Sequence, residues 1–229
     1  MVKVECFYDC ASPWAYIGFS NLLTLATRLG IDVDWRPVVI GFVFAEVNQE
    51  VYANRRHLTP PLKAAYEQKE LRAWAAHAGV TVLAPPKCGH PIKSVKCMRG
   101  CVALRASGKL VPFTIAAYEA LWRDGRNLGE DAVLADICRQ IGVNPDDFFA
   151  AIEMEEPKME LKRNSKELAR RGGFGVPTCY VDDELMFFGN NRLRLVEYQL
   201  RRRLRLSAAA PASALPARGG APDEVYVVR

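Results

Sequence analysis

A cysteine and a serine stand two residues apart in the stretch DCASPWAY, residues 9–16, directly after an apolar run. Either side chain could do chemistry there, because a thiolate is a nucleophile and a hydroxyl can donate a hydrogen bond to a bound anion. Ser12 precedes Pro13, a residue type favoured in the first turn of a helix. Ser12 therefore has two open roles, capping a helix or contacting an anion at the positive end of that helix.

A second motif, Gly175-Val176-Pro177-Thr178, follows RRGGF and comes directly before a strand-like run. A proline at the start of a strand lacks one ladder donor. A cis bond before Pro177 would leave the backbone N–H and C=O of Val176 free for an extended ligand. An ordinary turn proline explains the same residues, so both interpretations stay open.

The other reactive side chains form no recognised catalytic or metal pattern. The three histidines, His57, His77 and His90, make no acid–base set with a serine, which argues against a Ser-His-Asp hydrolase. Cys97 and Cys101 would share one face of a helix, which permits metal binding, but their spacing matches no zinc pattern. A helical core pair is favoured, and we predict no metal site.

Strand and helix signals place both motifs in an α/β fold. Val2 to Tyr8 and Ile31 to Val39 have strand patterns on either side of a helix, which predicts a right-handed parallel β-α-β unit. Residues 61–140 have almost wholly helical patterns closed by glycines, apart from a loop over Val82 to Pro91. The later predictions are a helix through Lys166 to Arg171, strands at Pro177 to Val181 and Leu185 to Phe188 joined by a turn at Asp182-Asp183-Glu184, and a final helix over Arg192 to Leu206.

Composition narrows the class of protein further. The chain has 229 residues, half of them hydrophobic, and a net charge of +5. Much of that charge lies between Arg192 and Arg205, where a solvated helix is favoured over a nucleic-acid site. No apolar stretch approaches about 18 residues, so we expect no membrane span and no membrane partner. The N-terminus lacks a signal-peptide pattern, and seven scattered cysteines indicate free thiols in a reducing cytoplasm.

The two motifs, the inserted helices, the hairpin and FFGNNR together resemble the thioredoxin-like enzymes of the kappa glutathione transferase class. Within that class they are most similar to the 2-hydroxychromene-2-carboxylate isomerases. The resemblance covers roughly residues 3 to 205 and implies a thioredoxin-like domain, residues 1–60 and 172–206, interrupted by an all-helical domain, residues 61–171. Residues 207–229, rich in Ala, Pro, Gly and Ser, would form a flexible tail, although EVYVVR could dock on a neighbour.

The resemblance also implies a cofactor, glutathione, and the residues that bind it. In that family a serine replaces the first cysteine of the redox Cys-x-x-Cys, and here Ser12-Pro13-Trp14-Ala15 leaves both cysteine positions empty. Ser12 would donate a hydrogen bond to the glutathione sulfur and favour the thiolate. Val176, beside Pro177, would pair its backbone with the cysteinyl part.

The remaining residues carried over from the family lie around the ends of glutathione and over the substrate. Asn190 and Asn191 match the pair at the γ-glutamyl end, where Asn191 stands in place of a frequent acidic residue. Asn54 and Lys63 match positions near the ligand, and a lysine suits the glycyl carboxylate. The candidate substrate-pocket residues are Trp14, His90 and Lys93.

The implied activity is a glutathione-dependent isomerisation of a small aromatic pyruvate derivative by a homodimer. Three alternatives stay open. One is a kappa-like transferase or peroxidase with the same glutathione site, and another is a disulfide oxidoreductase that uses Cys10, although strand alternation favours burial of that thiol in the sheet. The third is a catalytically silent domain that recruits a partner through its C-terminal helix and tail.

Overall fold

A four-stranded mixed sheet forms the centre of the computed structural model, which describes residues 2–47, 60–89 and 92–208. Its strands are β1 (Val4–Tyr8), β2 (Asp34–Pro37), β3 (Thr178–Val181) and β4 (Leu185–Phe188), in the order β2-β1-β3-β4. The β1 and β2 strands are parallel, and the other two pairs are antiparallel. The predicted β-α-β unit and the predicted hairpin are therefore confirmed. Two residues of the three-residue hairpin turn, Asp182 and Asp183, have positive φ, a conformation that aspartate tolerates.

Helices make up most of the rest of the described chain. They are α1 (Pro13–Leu29), α2 (Ile40–Val47), α3 (Pro61–His77), α4 (Val95–Ala103), α5 (Leu110–Tyr118) with a π-helical turn (Glu119–Arg123), α6 (Asp131–Gln140), α7 (Pro145–Glu153), α8 (Glu155–Arg170) and α9 (Leu193–Ala208), the last preceded by a 3-10 turn (Asn190–Arg192). The predicted loop has no helix or strand over the described residues 82–89.

Two helices, α2 and α7, were not predicted, and α8 begins 11 residues before its predicted start. The α2 sequence, IGFVFAEV, is β-branched and aromatic and reads equally well as a strand. For α7 a local signal was present, because Asn144 caps the helix through a hydrogen bond from the Asp146 N–H and Pro145 follows at the first helical position. Pro157 lies in the first turn of α8, where a proline costs no helical hydrogen bond.

The strand β1 is buried at all five positions, and helices cover both faces of the sheet. On one face, Phe19 of α1 contacts Tyr8 and Trp35. On the other face, Arg171, at the end of α8, stacks its guanidinium 3.7 Å from the Tyr180 ring centroid. Central, doubly covered strands have apolar side chains on both faces, which explains why four of the five β1 residues are hydrophobic; the exception, Glu5, pairs with Arg171.

The inserted helices share one hydrophobic core with the sheet. The same cluster contains Phe7 of β1 and, from the insertion, Met98, Phe113, Trp122 and Leu134. The division into a thioredoxin-like domain and a helical domain at the predicted boundaries stays a prediction. Of the tail assigned to residues 207–229, the first two residues extend α9, and residues 209–229 lie outside the described part of the chain. None of the described helices is long and apolar enough to cross a membrane.

Candidate active site

Ser12 is the N-cap of α1, at the point where the chain leaves β1. Its backbone is extended (φ −109°, ψ 120°), and its Oγ accepts a hydrogen bond from the Ala15 N–H at 3.2 Å. That bond uses a lone pair and leaves the hydroxyl proton available as a donor. The capping role is therefore present, and it is compatible with donation to a bound anion.

The first turn of α1 contains no acidic residue, and its first residue is Pro13. The helix is 17 residues long, so its backbone dipoles add to a partial positive charge at the Ser12 end. Unpaired N–H groups at such an end favour an anion. Ser12 is only half-buried, so a ligand can reach it.

Asp9 stabilises the turn between β1 and α1 through hydrogen bonds to its carboxylate. It is completely buried, and its two carboxylate oxygens accept hydrogen bonds from the N–H groups of Ala11 (2.9 Å) and Ile40 (2.8 Å). Burial raises the pKa of this carboxyl to about 6, although the same hydrogen bonds oppose the rise. The role of Asp9 was not predicted; the only local signal was an acidic residue at the end of an apolar strand.

The Gly175–Thr178 turn lies at the same end of the sheet as Ser12. Phe7 is the register partner of Thr178 in the antiparallel β1–β3 pair, so Pro177 lies beside the C-terminal end of β1. The bond between Val176 and Pro177 is cis. The Thr178 hydroxyl donates to the Gly175 carbonyl at 2.7 Å, which closes the turn.

The α1 helix contacts this turn directly. A Cβ placed on Gly18 would lie 2.6 Å from Cγ of Pro177, closer than real Cβ atoms approach. Only a glycine permits this approach of the second motif to the helix that Ser12 caps. The structure thus brings together two motifs that are far apart in the chain.

The segment that holds the two asparagines is joined to this turn, because the Gly189 N–H donates to the Pro177 carbonyl at 2.9 Å. Val176 is buried, and among the described residues no hydrogen bond involves its backbone N–H or C=O. Asn190 is also buried: its Oδ1 accepts from Nδ2 of Asn21 at 2.8 Å, whereas its own Nδ2 has no partner. Asn191 is exposed. Asn21, on α1, is a further contact that the sequence did not indicate.

The remaining predicted residues are more dispersed. Lys63 is exposed in the first turn of α3, and Trp14 packs against the small cluster that joins α1 to α3. Lys93 is exposed, with its Cβ near the backbone of Gly129. Packing between two helices thus accounts for Trp14. Asn54 and His90 lie outside the described residues.

Comparison with known proteins identifies the family. Residues 3–201 match the DSBA-like thioredoxin domain. The chain belongs to this family. The predicted thioredoxin-like fold with a helical insertion is therefore confirmed.

The relatives of this DSBA-like chain include two kinds of enzyme, 2-hydroxychromene-2-carboxylate isomerases and kappa glutathione S-transferases. It is 27% identical over 201 residues to the 2-hydroxychromene-2-carboxylate isomerase of Sphingobium xenophagum, covering 86% of this chain and 97% of the relative. It is 23% identical over 208 residues to the human glutathione S-transferase kappa 1, covering 86% and 90%. A solved 2-hydroxychromene-2-carboxylate isomerase superposes with a TM-score of 0.75 at 20% identity, covering 90% and 97% of the two chains. The resemblance stated from the motifs is confirmed.

Cys10, the other reactive residue of the opening stretch, is not accessible in this DSBA-like chain. Its side chain is completely buried. Its backbone N–H lies 3.3 Å from Sδ of Met98, and its carbonyl accepts from Nε1 of Trp122 at 2.9 Å. Burial raises the pKa of the Cys10 thiol well above its usual range. An inaccessible, protonated thiol is a poor nucleophile. All seven cysteines are free.

Proposed function

We propose that the protein is a glutathione-dependent isomerase acting on a small aromatic carboxylate of the 2-hydroxychromene-2-carboxylate type. One observation carries the proposal: the Ser12 hydroxyl caps the positive end of α1, while Ala15 occupies the second position of the redox pair. A DSBA-like chain without either cysteine retains a binding site for a thiol but not the means to form a disulfide there.

The residues around Ser12 suit a thiolate ligand. A free thiol has a pKa of about 8.5, so lowering it by about 2 units makes the thiolate predominant at neutral pH. This requires about 2.7 kcal/mol of differential stabilisation. A hydrogen bond to a charged group supplies about 1.5 to 3 kcal/mol, and a helix N-terminus adds about 0.3 to 1 kcal/mol. The Ser12 hydroxyl and the N-terminus of α1, which has no acidic residue in its first turn, are therefore sufficient to keep the bound thiol ionised at neutral pH.

The rest of glutathione would extend along the turn that packs on α1. The proposal assigns the unpaired backbone groups of Val176, next to Pro177, to the cysteinyl part of the ligand. Asn191, which is exposed, and Asn190, whose Nδ2 is a buried donor without a partner, would receive the γ-glutamyl end. Lys63 is assigned to the glycyl carboxylate, together with Asn54. An unpartnered buried amide is costly, and a carboxylate acceptor would satisfy it.

The chemistry follows from the thiolate. When bound, glutathione supplies a nucleophilic sulfur that adds reversibly to a conjugated carbon, so that a double bond becomes a rotatable single bond before elimination. Ser12 holds the sulfur ionised and remains unmodified. Trp14, His90 and Lys93 are the proposed residues of the pocket for the aromatic carboxylate. The proposal also includes a homodimer in a reducing cytoplasm, for which the seven free cysteines are suitable.

A kappa-like transferase or peroxidase is the second candidate, because curated relatives named glutathione S-transferase kappa match over a similar share of the chain. Ser12 would have the same role, and only the second substrate would differ. A disulfide oxidoreductase that uses Cys10 is disfavoured by the burial of that thiol.

The first test is calorimetric titration with reduced glutathione of the wild type, Ser12→Ala and Cys10→Ser. We expect wild type and Cys10→Ser to bind alike and Ser12→Ala to bind more weakly. Product analysis with a chromene carboxylate then separates the candidates: interconversion without loss of glutathione supports the isomerase, whereas a stable conjugate or oxidised glutathione supports the transferase or peroxidase. Absence of binding at millimolar glutathione would overturn the proposal.

A further inference from the structure

Three thiols from two distant stretches of the sequence meet in the core next to the candidate site. The Sγ atoms of Cys10, Cys97 and Cys101 all lie within 4.8 Å of one another. Each of the three side chains is completely buried. The spacing of Cys97 and Cys101 alone matches no zinc pattern and therefore predicted no metal site; the fold adds Cys10.

The cluster joins the two parts of the chain. Cys10 lies in the turn after β1, two residues before Ser12, whereas Cys97 and Cys101 lie one turn apart on α4, in the helical insertion. The sulfur of Met98, also on α4, lies 3.3 Å from the Cys10 backbone nitrogen. The surroundings are therefore rich in sulfur, which is the ligand type of soft metal ions.

The geometry is close to that of a three-sulfur metal site. Metal–sulfur bonds of about 2.3 Å directed to the corners of a triangle place the sulfurs about 4.0 Å apart. The sulfurs already lie within 4.8 Å of one another, so small side-chain rotations suffice to reach this spacing. A coordinated thiol gives up its proton to solvent when the metal binds.

The ligand set discriminates between metals. Structural zinc sites almost always have four ligands, and the described residues add no histidine or carboxylate to this group. A neighbouring hydroxyl, Oγ1 of Thr114, lies 3.4 Å from Sγ of Cys101 and 3.0 Å from the Tyr8 hydroxyl, so it is already hydrogen-bonded. Cu(I) is selected by soft thiolate and thioether ligands, and it does not require a fourth ligand.

We propose that Cys10, Cys97 and Cys101 form a buried three-sulfur site that binds one Cu(I) ion and links the end of β1 to α4. This site is separate from the glutathione site, and its test needs no assay of the proposed activity. Because glutathione itself binds Cu(I), the measurements are made in its absence.

The test is anaerobic titration of the full-length protein with Cu(I) in competition with a chromophoric Cu(I) chelator. We expect one ion per chain, and X-ray absorption with three sulfur neighbours around copper. Replacing one ligand, as in Cys97→Ala or Cys101→Ala, should lower the affinity by more than about 100-fold. The matched controls are Cys138→Ala, a buried thiol outside the cluster, and Cys88→Ser, a partly exposed one; both should bind as the wild type does.

A second measurement uses the wild type alone, in case a ligand variant fails to fold. Mass spectrometry after pulsed alkylation in mild denaturant should find Cys10, Cys97 and Cys101 protected by Cu(I), and Cys138 unaffected. Binding retained in the ligand variants, equal protection of Cys138, or Zn(II) binding more tightly than Cu(I) would overturn the proposal. Loss of binding in Cys88→Ser would likewise overturn it, because it would place the ion elsewhere.

Discussion

The substitution Ser12→Ala removes one hydroxyl that has two separable functions. The first is the cap, because Oγ accepts the Ala15 N–H at 3.2 Å, and its loss should lower the free energy of unfolding by about 0.5 to 2 kcal/mol. The second is the proposed hydrogen bond to the glutathione sulfur, whose loss should cost the thiolate about 1.5 to 3 kcal/mol. Since one pKa unit corresponds to about 1.4 kcal/mol, the pKa of the bound thiol should rise by about 1 to 2 units.

The assay is a pH titration of the ultraviolet absorbance of the thiolate in the complex, run beside chemical denaturation of the free protein. The sign follows from the ionic form that Ser12 stabilises: without the hydroxyl, the thiolate forms only at higher pH, and any activity that needs it shifts in the same direction. Because part of the stabilisation comes from the N-terminus of α1, the pKa of the bound thiol in Ser12→Ala should still lie below the pKa of the free thiol.

Two further variants separate the functions. Ser12→Thr keeps a hydroxyl and a residue type that caps helices, so the free energy of unfolding and the pKa of the bound thiol should both stay near their wild-type values. Ser12→Asp keeps the cap but adds a negative charge, so stability should be retained while the pKa of the bound thiol rises further than in Ser12→Ala. The half-buried Ser20, two turns along the same helix, provides a control as Ser20→Ala. If Ser12→Ala left the thiol pKa and the activity unchanged, the assigned role of Ser12 would be wrong.

Three other substitutions test the surroundings of the site. Gly18→Ala places a Cβ 2.6 Å from the rigid ring of Pro177, so we expect a loss of about 1 to 3 kcal/mol in stability, measured by urea unfolding, together with weaker glutathione binding; an unchanged midpoint would contradict the close contact. Arg171→Ala leaves Glu5, which is 2% exposed and paired with Arg171 at 2.8 Å, largely uncompensated, so unfolding should become easier by about 3 kcal/mol; a change below about 1 kcal/mol would mean that Lys3 suffices as the partner. Asn191→Asp adds a carboxylate at the proposed γ-glutamyl end and should tighten glutathione binding about two- to fivefold in calorimetry; weaker binding would argue that the ammonium of the ligand lies elsewhere.

Local signals predicted much of the site's framework. Pro13 after Ser12 indicates a helix start, and the cap geometry of α1 agrees with it. The strand patterns on both sides of α1 predicted the parallel pair, and the Asp182-Asp183 turn predicted the hairpin. Such signals work because caps, turns and strand periodicity depend on backbone conformations and hydrogen bonds that lie within a few residues of one another.

Local sequence signals did not predict the features that depend on tertiary packing. The α2 segment has β-forming residues, yet it is a helix that packs against α8. Tertiary contacts override such propensities, because strand preference mainly reports how a side chain packs on its neighbours. The sequence around Asp9 did not indicate its role either. One N–H group that donates to its carboxylate lies in its own turn, and the other belongs to Ile40 of α2, 31 residues away.

The sequence by itself thus determined the family, the helix that Ser12 caps and the absence of a Cys-x-x-Cys pair. The tertiary structure decided which of the two reactive residues in DCASPWAY is accessible. Cys10 is buried because α4, whose Met98 is 88 residues away in the chain, packs over it, and Gly18 on α1 lets Pro177 approach the helix. Distances between segments so far apart depend on the volumes and shapes of all the side chains that pack between them, and no short stretch of sequence records those.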